Sequence, residues 1–69
     1  MNNGFGVGTL RKNIRLGICV KIVLKADQKS GRLTEGVVRD ILTNSAYHSR
    51  GIKVRLTDGK VGRVQQILD

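Results

Sequence analysis

The stretch GIKVRLTDGKVGRV, residues 51–64, decides the fold, because it has the pattern of two β-strands joined by a tight turn. Apolar and polar side chains alternate through residues 52–57, which is typical of a strand with one buried face. The Asp58-Gly59 pair then indicates a hairpin, because the favoured two-residue turns need positive φ at their central positions. Residues 60–64 form the return strand.

The register of this hairpin predicts an irregularity. A two-residue turn pairs Leu56 with Val61, which suits a core. In the same register, the core-facing Val54 lies opposite the charged Arg63. The return strand would therefore have apolar side chains on both of its faces. A shift of one residue repairs this, and we therefore expect a β-bulge at Gly62 or a longer loop with the same effect.

Two further strands precede the hairpin. The segment ICVKIVLK alternates, and LTEGVVRDIL contains Gly36, which indicates a bulge or a tight bend. The closing QQILD predicts a short helical turn followed by a last strand residue or two. The polar loops are residues 26–32 and 43–50. The expected strands lie near residues 18–25, 33–42, 51–57 and 60–64.

These elements predict an all-β fold, since no segment has the periodicity of an amphipathic helix. A chain of 69 residues forms one domain at most, and so small an antiparallel sheet must curl to bury one face. We expect a small SH3-like barrel of strongly bent strands over residues 11–69. An OB-fold fits less well, because it usually needs more residues and a fifth strand. Residues 1–10 lack periodicity and predict a flexible tail.

Composition excludes several classes of protein. The single cysteine excludes an intramolecular disulfide and a multi-cysteine zinc site. The first residues, MNNGFGVGTL, lack the pattern of a secretory signal, and no apolar run is long enough to span a membrane. We therefore expect a cytoplasmic protein without a metal, a cofactor or a membrane partner.

Catalysis has little chemistry to use. His48 is the one histidine, and it lies beside Tyr47 in a polar loop, whereas Cys19 begins a strand. A Cys/His nucleophile pair would need these two side chains to meet beside an orienting group. We interpret Cys19 as a small, buried or half-buried hydrophobe and His48 as a solvated or locally hydrogen-bonded residue. No catalytic residue is predicted.

The charge indicates an anionic partner. Thirteen Lys and Arg against five Asp and Glu give a formal net charge of +8, and nucleic acid is the commonest cytosolic polyanion. If the first strand lies near the hairpin, the surplus forms one patch; the alternative is that outward cations only protect sheet edges from aggregation. Tyr47 and His48 are candidates for base or sugar contacts, although Tyr47 could instead close the core. The cations expected on phosphates are Lys21, Lys25, Lys53, Arg55, Lys60 and Arg63.

Three segments carry a family resemblance: LTEGVVRDILTNS, the loop with His48, and GIKVRLTDGKVGRV. Over about residues 11–67 the chain resembles the YwbE-like family of small uncharacterised bacterial proteins. The resemblance implies the fold and a bacterial cytosolic setting, and it supplies no binding residues. More loosely, the strand-turn-strand pattern is similar to KOW-type and other SH3-like modules, which is an analogy of fold.

These observations favour a non-enzymatic nucleic-acid-binding module, for RNA or the ribosome rather than DNA. Because Phe5 and Tyr47 are the only aromatic residues, we expect binding dominated by the phosphate backbone and weakly selective. The alternative is a protein-interaction adaptor, in which the barrel or an open strand edge docks an acidic protein segment. An enzyme would need a partner to complete its site.

Overall fold

A computed structural model describes residues 7–68 of the chain. No helix among those residues is long and apolar enough to cross a membrane. Three short 3-10 turns occur, at Val7–Thr9, Arg11–Asn13 and Lys25–Asp27. The four strands are β1 (Cys19–Leu24), β2 (Thr34–Ile41), β3 (Lys53–Leu56) and β4 (Val61–Ile67).

The strands close into an antiparallel barrel in the order β1-β2-β3-β4, with β4 also paired to β1. The β2 strand serves two neighbours: its first half pairs with β1 and its second half with β3. The change of partner follows Gly36, whose Cα lies opposite Val20, and precedes Val38, which lies opposite Leu56. This confirms the predicted all-β barrel, whereas the β1–β2 register runs without a shift through Gly36.

Strand alternation sets the core as predicted. Val20 and Ile22 of β1 and Val54 and Leu56 of β3 are fully buried. Burying each such side chain contributes about 1.5–3 kcal/mol relative to leaving it exposed. The buried hydrophobic core consists of Ile14, Ile18, Val20, Ile22, Val38, Ile52, Val54, Leu56 and Val64.

The hairpin has the longer loop, which was one of the two expected alternatives, and not the β-bulge at Gly62. The backbone N–H of Leu56 donates to the carbonyl of Lys60 at 2.8 Å, so three residues rather than two form the connection. Val54 consequently lies opposite Gly62, and the β3–β4 register is regular at that glycine. Gly62 has a different role: a Cβ there would overlap the carbonyl oxygen of Val23, so the glycine permits β1 and β4 to approach.

Two register shifts occur elsewhere. Arg39 is the extra residue of β2 against β3, and Gln65 is the extra residue of β4 against β1. The helical turn expected at the start of QQILD is wrong, because β4 continues along β1 to Ile67. Pairing with β1, which local sequence does not reveal, keeps this segment extended.

The folded part begins before residue 11. Residues 1–6 of the expected tail lie outside the described residues, but the next four join the barrel. The carbonyl of Gly8 accepts a hydrogen bond from the N–H of Ile52 at 2.8 Å, and Leu10 forms a β-bridge with Tyr47. A Cβ on Gly8 would lie 2.6 Å from the carbonyl oxygen of Val64, so a glycine is needed for this close approach.

Candidate nucleic-acid interface

Three adjoining strands present cations on the outside of the barrel. Lys53 of β3 lies directly opposite Arg63 of β4, and Arg63 lies opposite Val23 of β1 on its other side. Since β1 and β3 flank β4, the first strand does lie beside the hairpin. We call the outward residues Lys21, Lys53, Arg55 and Arg63 the basic face.

The side chain of Arg63 is held by a neutral backbone carbonyl and not by a carboxylate of the described residues. Its Nη1 donates to the carbonyl of Gly51 at 3.1 Å, and its side chain is partly buried. Among residues 7–68, no carboxylate forms an ion pair with Arg63. A guanidinium fixed by a neutral carbonyl loses less side-chain freedom when it binds an anion.

Arg55 is in a different electrostatic environment. Its Nη1 lies 3.1 Å from Asp40 Oδ2, and the same oxygen lies 3.4 Å from Nε of Arg39. Both Arg55 and Asp40 are 40% exposed in their side chains, so this pair contributes modestly to stability. It does reduce the positive potential that Arg55 offers to a ligand.

Two of the predicted cations lie off the strand surface. Lys60 lies at the hairpin turn, where its Nζ is 2.8 Å from Asp58 Oδ2. This hydrogen bond, together with one from the Lys60 backbone, holds the pKa of Asp58 below its ordinary value of 3.8. Lys25 begins the 3-10 turn after β1, because β1 ends at Leu24.

Tyr47 and His48 lie on the loop before β3, beside the N-terminal segment. Tyr47 is 58% exposed, which does not fit a ring that closes the core. The His48 ring takes part in a local turn, since its Nδ1 accepts the N–H of Arg50 at 3.1 Å. The His48 N–H donates to the carbonyl of Thr9 at 3.0 Å. The structure therefore does not place these two residues in the strand rows of the basic face.

A groove that sequence reasoning missed adjoins Arg63. Its volume is about 390 Å³, and Arg50 is a second cation on its wall. Arg50 is not among the cations that the sequence predicted to bind phosphate, and no local pattern marks Gln65. The groove lining includes Val23, Gln28, Leu33, Arg50, Arg63 and Gln65.

Side chains of β4 hold the backbone at residues 50 and 51. Nε2 of Gln65 donates to the carbonyl of Arg50 at 3.0 Å, and Arg63 donates to that of the next residue. Gly51 has φ +103°, and a Cβ there would overlap the carbonyl oxygen of Val64. The glycine thus permits the loop to lie against β4, which brings Arg50 to the groove that Arg63 also lines.

Comparison with known proteins places this geometry in a family. The profile of a family described as an uncharacterized conserved protein (DUF2196) matches residues 7–67. The chain belongs to this family. It is also 61% identical over 61 residues to the uncharacterized protein YwbE of Bacillus subtilis (strain 168), covering 88% of this chain and 94% of that protein. No solved structure matches the chain.

The DUF2196 assignment confirms the YwbE-like resemblance and extends it to the turn at Val7–Thr9. The Bacillus relative agrees with the bacterial setting that the resemblance implies. The family description assigns no activity, so the chemistry of this DUF2196 chain rests on its own side chains.

The residues considered for catalysis lie in different elements of this DUF2196 barrel. Cys19 is half-buried, and its Sγ lies 3.6 Å from Oε2 of Glu35 on the neighbouring strand. His48 lies in the loop before β3, where its ring bonds to the local backbone. Within residues 7–68, no group of three or more His, Cys, Asp or Glu side chains is placed to hold a metal ion.

Proposed function

We propose that the protein is a non-enzymatic, cytoplasmic nucleic-acid-binding module that contacts RNA phosphates through the basic face. The observation that carries this proposal is the placement of Lys53 directly opposite Arg63. Like charges opposite each other destabilise a sheet, and no ion pair with a described carboxylate relieves this repulsion. A bound phosphate would relieve it.

The alternative explanation of these cations fits the closed barrel poorly. Outward lysines and arginines protect an exposed strand edge from pairing with another chain. Here β3 pairs with β2 on one side and β4 on the other, and β4 pairs with both β3 and β1. Where these strands are paired on both sides, they have no edge for the cations to protect. The same pairing leaves no open edge there on which a protein segment could dock.

RNA is the preferred polyanion on physical grounds. B-DNA is usually read by a helix or a two-stranded ribbon inserted in its major groove. The described residues contain 3-10 turns of three residues and strands closed into a barrel. A convex barrel wall is better suited to phosphates on an irregular or single-stranded surface, which RNA and the ribosome present. With few aromatic residues, selectivity should be weak.

Fluorescence anisotropy would test the proposal. Labelled single-stranded RNA, duplex RNA, duplex DNA and a non-nucleic polyanion are titrated from about 50 to about 200 mM salt, because phosphate contacts give a steep loss of affinity with salt. The test variant is Lys53→Glu with Arg63→Glu. The control, Lys12→Glu with Arg15→Glu, makes the same change of charge in the N-terminal segment.

We expect RNA binding that exceeds binding of the polyanion and that the face variant loses more than tenfold. The control should lose less. Equal losses, or no binding beyond the polyanion, would contradict the proposal. Binding to an acidic peptide without binding to RNA would favour the adaptor instead.

A further inference from the structure

The groove beside Arg63 has a composition that phosphate contact alone does not require. Arg50 and Arg63 supply charge, Gln28 supplies an amide, and Leu33 supplies an apolar wall that is 38% exposed. Its volume, about 390 Å³, lies within the roughly 300–1,000 Å³ of small-ligand pockets. Charge, amide and apolar surface together match the parts of a nucleotide.

We propose that this groove binds one nucleotide unit of a single strand, with its phosphate between Arg50 and Arg63 and its base against Leu33 and Val23. This proposal rests on the proposed function and adds to it the form of RNA that is recognised. The same chemistry would bind a free nucleotide, and the experiment below separates the two sources.

The Arg63 side chain and the Arg50 backbone are held before any ligand arrives. Arg63 and Gln65 each donate to a backbone carbonyl, of Gly51 and Arg50 respectively, at 3.1 and 3.0 Å. Gln65 Nε2 also lies 3.2 Å from the carbonyl oxygen of Val64. The backbone of Arg50 is therefore attached to the strand that carries Arg63. Because a planar guanidinium matches two phosphate oxygens, the held Arg63 side chain costs little ordering entropy on binding, and Arg50 has to order only its side chain.

The register shift in β4 forms part of this arrangement. Lys21 lies opposite Gln66, whereas Ile22 lies opposite Val64, so Gln65 is the extra residue. A bulge redirects a side chain out of the regular alternation and is frequent beside functional sites. Here the bulged residue both lines the groove and bonds to the backbone of Arg50.

The shape of the site favours a single strand over a duplex. Bases in a duplex are stacked and paired, so their faces cannot enter a concave site, whereas an unstacked base can be held by apolar contacts and its edge by amides. Gln28 is such an amide on the groove wall. The basic face outside the groove would bind both forms through phosphates.

The experiment combines NMR with anisotropy. Backbone amide shifts of the ¹⁵N-labelled protein are followed with uridine monophosphate, with uridine, and with inorganic phosphate. Affinities are then measured for a short oligouridylate and for duplex RNA. The variant is Arg50→Gln and the matched control is Arg15→Gln, which removes the same charge from an exposed arginine outside the described ion pairs and the groove.

The proposal expects uridine monophosphate to shift the amides of Gly31, Arg50 and Gly51 more than phosphate or uridine does. Arg50→Gln should weaken oligouridylate about tenfold, the loss expected when a charged hydrogen bond is removed. Duplex RNA should lose no more affinity with Arg50→Gln than with Arg15→Gln. If neither RNA binds, the proposed function fails, and groove shifts with the mononucleotide would then support a free nucleotide as ligand.

Three results would overturn the groove proposal while leaving the proposed function intact. The first is equal loss of oligouridylate affinity in Arg50→Gln and Arg15→Gln. The second is an equal effect of Arg50→Gln on single-stranded and duplex RNA. The third is an absence of groove shifts with the mononucleotide.

Discussion

Strands β2 and β4 occupy equivalent places in the barrel, yet they differ in charge. Each pairs with both β1 and β3, each has an inward glycine, and each has one extra residue against a neighbour. On β2 the residue after the bulge is Asp40, which pairs with Arg55. On β4 the bulge is Gln65, and nearby Arg63 bonds to a neutral carbonyl.

The comparison shows that a cation's environment, rather than the formal charge alone, determines what it can offer a ligand. Arg55 and Arg63 were equivalent in the sequence analysis, as outward cations of one hairpin. In the barrel, one of them neighbours a carboxylate and the other does not. The surface formed by β1, β4 and β3 is therefore a better candidate for binding phosphate than the surface around β2. Within it, the part near Arg63 on β4 is the best candidate.

The largest expected effect concerns the two glycines. Gly62→Ala would place a Cβ against the carbonyl oxygen of Val23, which the β1–β4 pairing holds in place, whereas Gly36→Ala would meet the side chain of Leu56. Overpacking of a core side chain costs about 1–3 kcal/mol, and we expect roughly 3 kcal/mol or more where backbone must move. Urea unfolding measures both. Gly59→Ala gives the cost of left-handed backbone without a steric contact, because Gly59 has φ +92° and its Cβ would meet nothing within 4 Å, whereas residues 36 and 62 do not have positive φ. Equal losses at residues 36 and 62 would contradict the difference between the strands.

The next effect separates the two arginines. Arg63→Gln should weaken RNA binding by about tenfold and reduce the slope of log affinity against log salt by nearly one, the change expected for one lost phosphate contact. Arg55→Gln removes the same charge but should cost only about twofold, since Asp40 already offsets that charge. Salt-dependent anisotropy gives both quantities. Identical slopes for the two variants would remove the distinction.

A smaller effect is expected from a substitution that makes the surroundings of Arg55 more like those of Arg63. Asp40→Asn removes the carboxylate next to Arg55, so we expect RNA affinity to rise about two- to threefold at low salt. Unfolding free energy should change by less than about 1 kcal/mol, because the pair is exposed. Asp27→Asn, which removes the same negative charge outside the described ion pairs, is the control. An equal rise in affinity in the control would attribute the gain to net charge.

The smallest effect is at the hairpin turn. The lowered pKa of Asp58 means that its contact with Lys60 stabilises the fold above pH 3.8 and that this contribution is lost as pH falls through the lowered value. Asp58→Asn should therefore show a flatter loss of stability between about pH 5 and about pH 2 than the unchanged protein does. Urea midpoints across this range measure the slope. Parallel pH curves would show that Lys60 is not held by this carboxylate.

The local sequence pattern predicted which face of each strand is buried but not which strands pair with each other. Alternation through residues 18–25 and 52–57 identified the buried side chains, because a strand has a period of two. The hairpin register was predicted as two alternatives, and the longer loop is the one found. The helical turn predicted at the start of QQILD is wrong because β4 is kept extended to Ile67 by β1, more than forty residues earlier in the chain.

The sequence predicted that the candidate site is positively charged, but it did not predict how the residues of the site are arranged. Lys53 and Arg63 could be assigned to one hairpin face from sequence, but the ion pair of Arg55 joins residues fifteen positions apart on different strands. Arg50 was missed because it ends the polar loop of residues 43–50 and is not part of a strand pattern. Its place at the groove depends on Gly51 and on a bulge that only the β1–β4 register reveals.

The pairing of β1 with β4 has a consequence for how the chain is made. The first strand emerges early in synthesis, but one of its two neighbours is the last strand of the barrel. Such non-local pairing is slow to form, and until it forms β1 presents an unpaired edge to other chains. We therefore expect nascent chains that stop before Val61 to remain unfolded and prone to aggregate. Protection from proteolysis should appear only once residues 61–67 have left the exit tunnel.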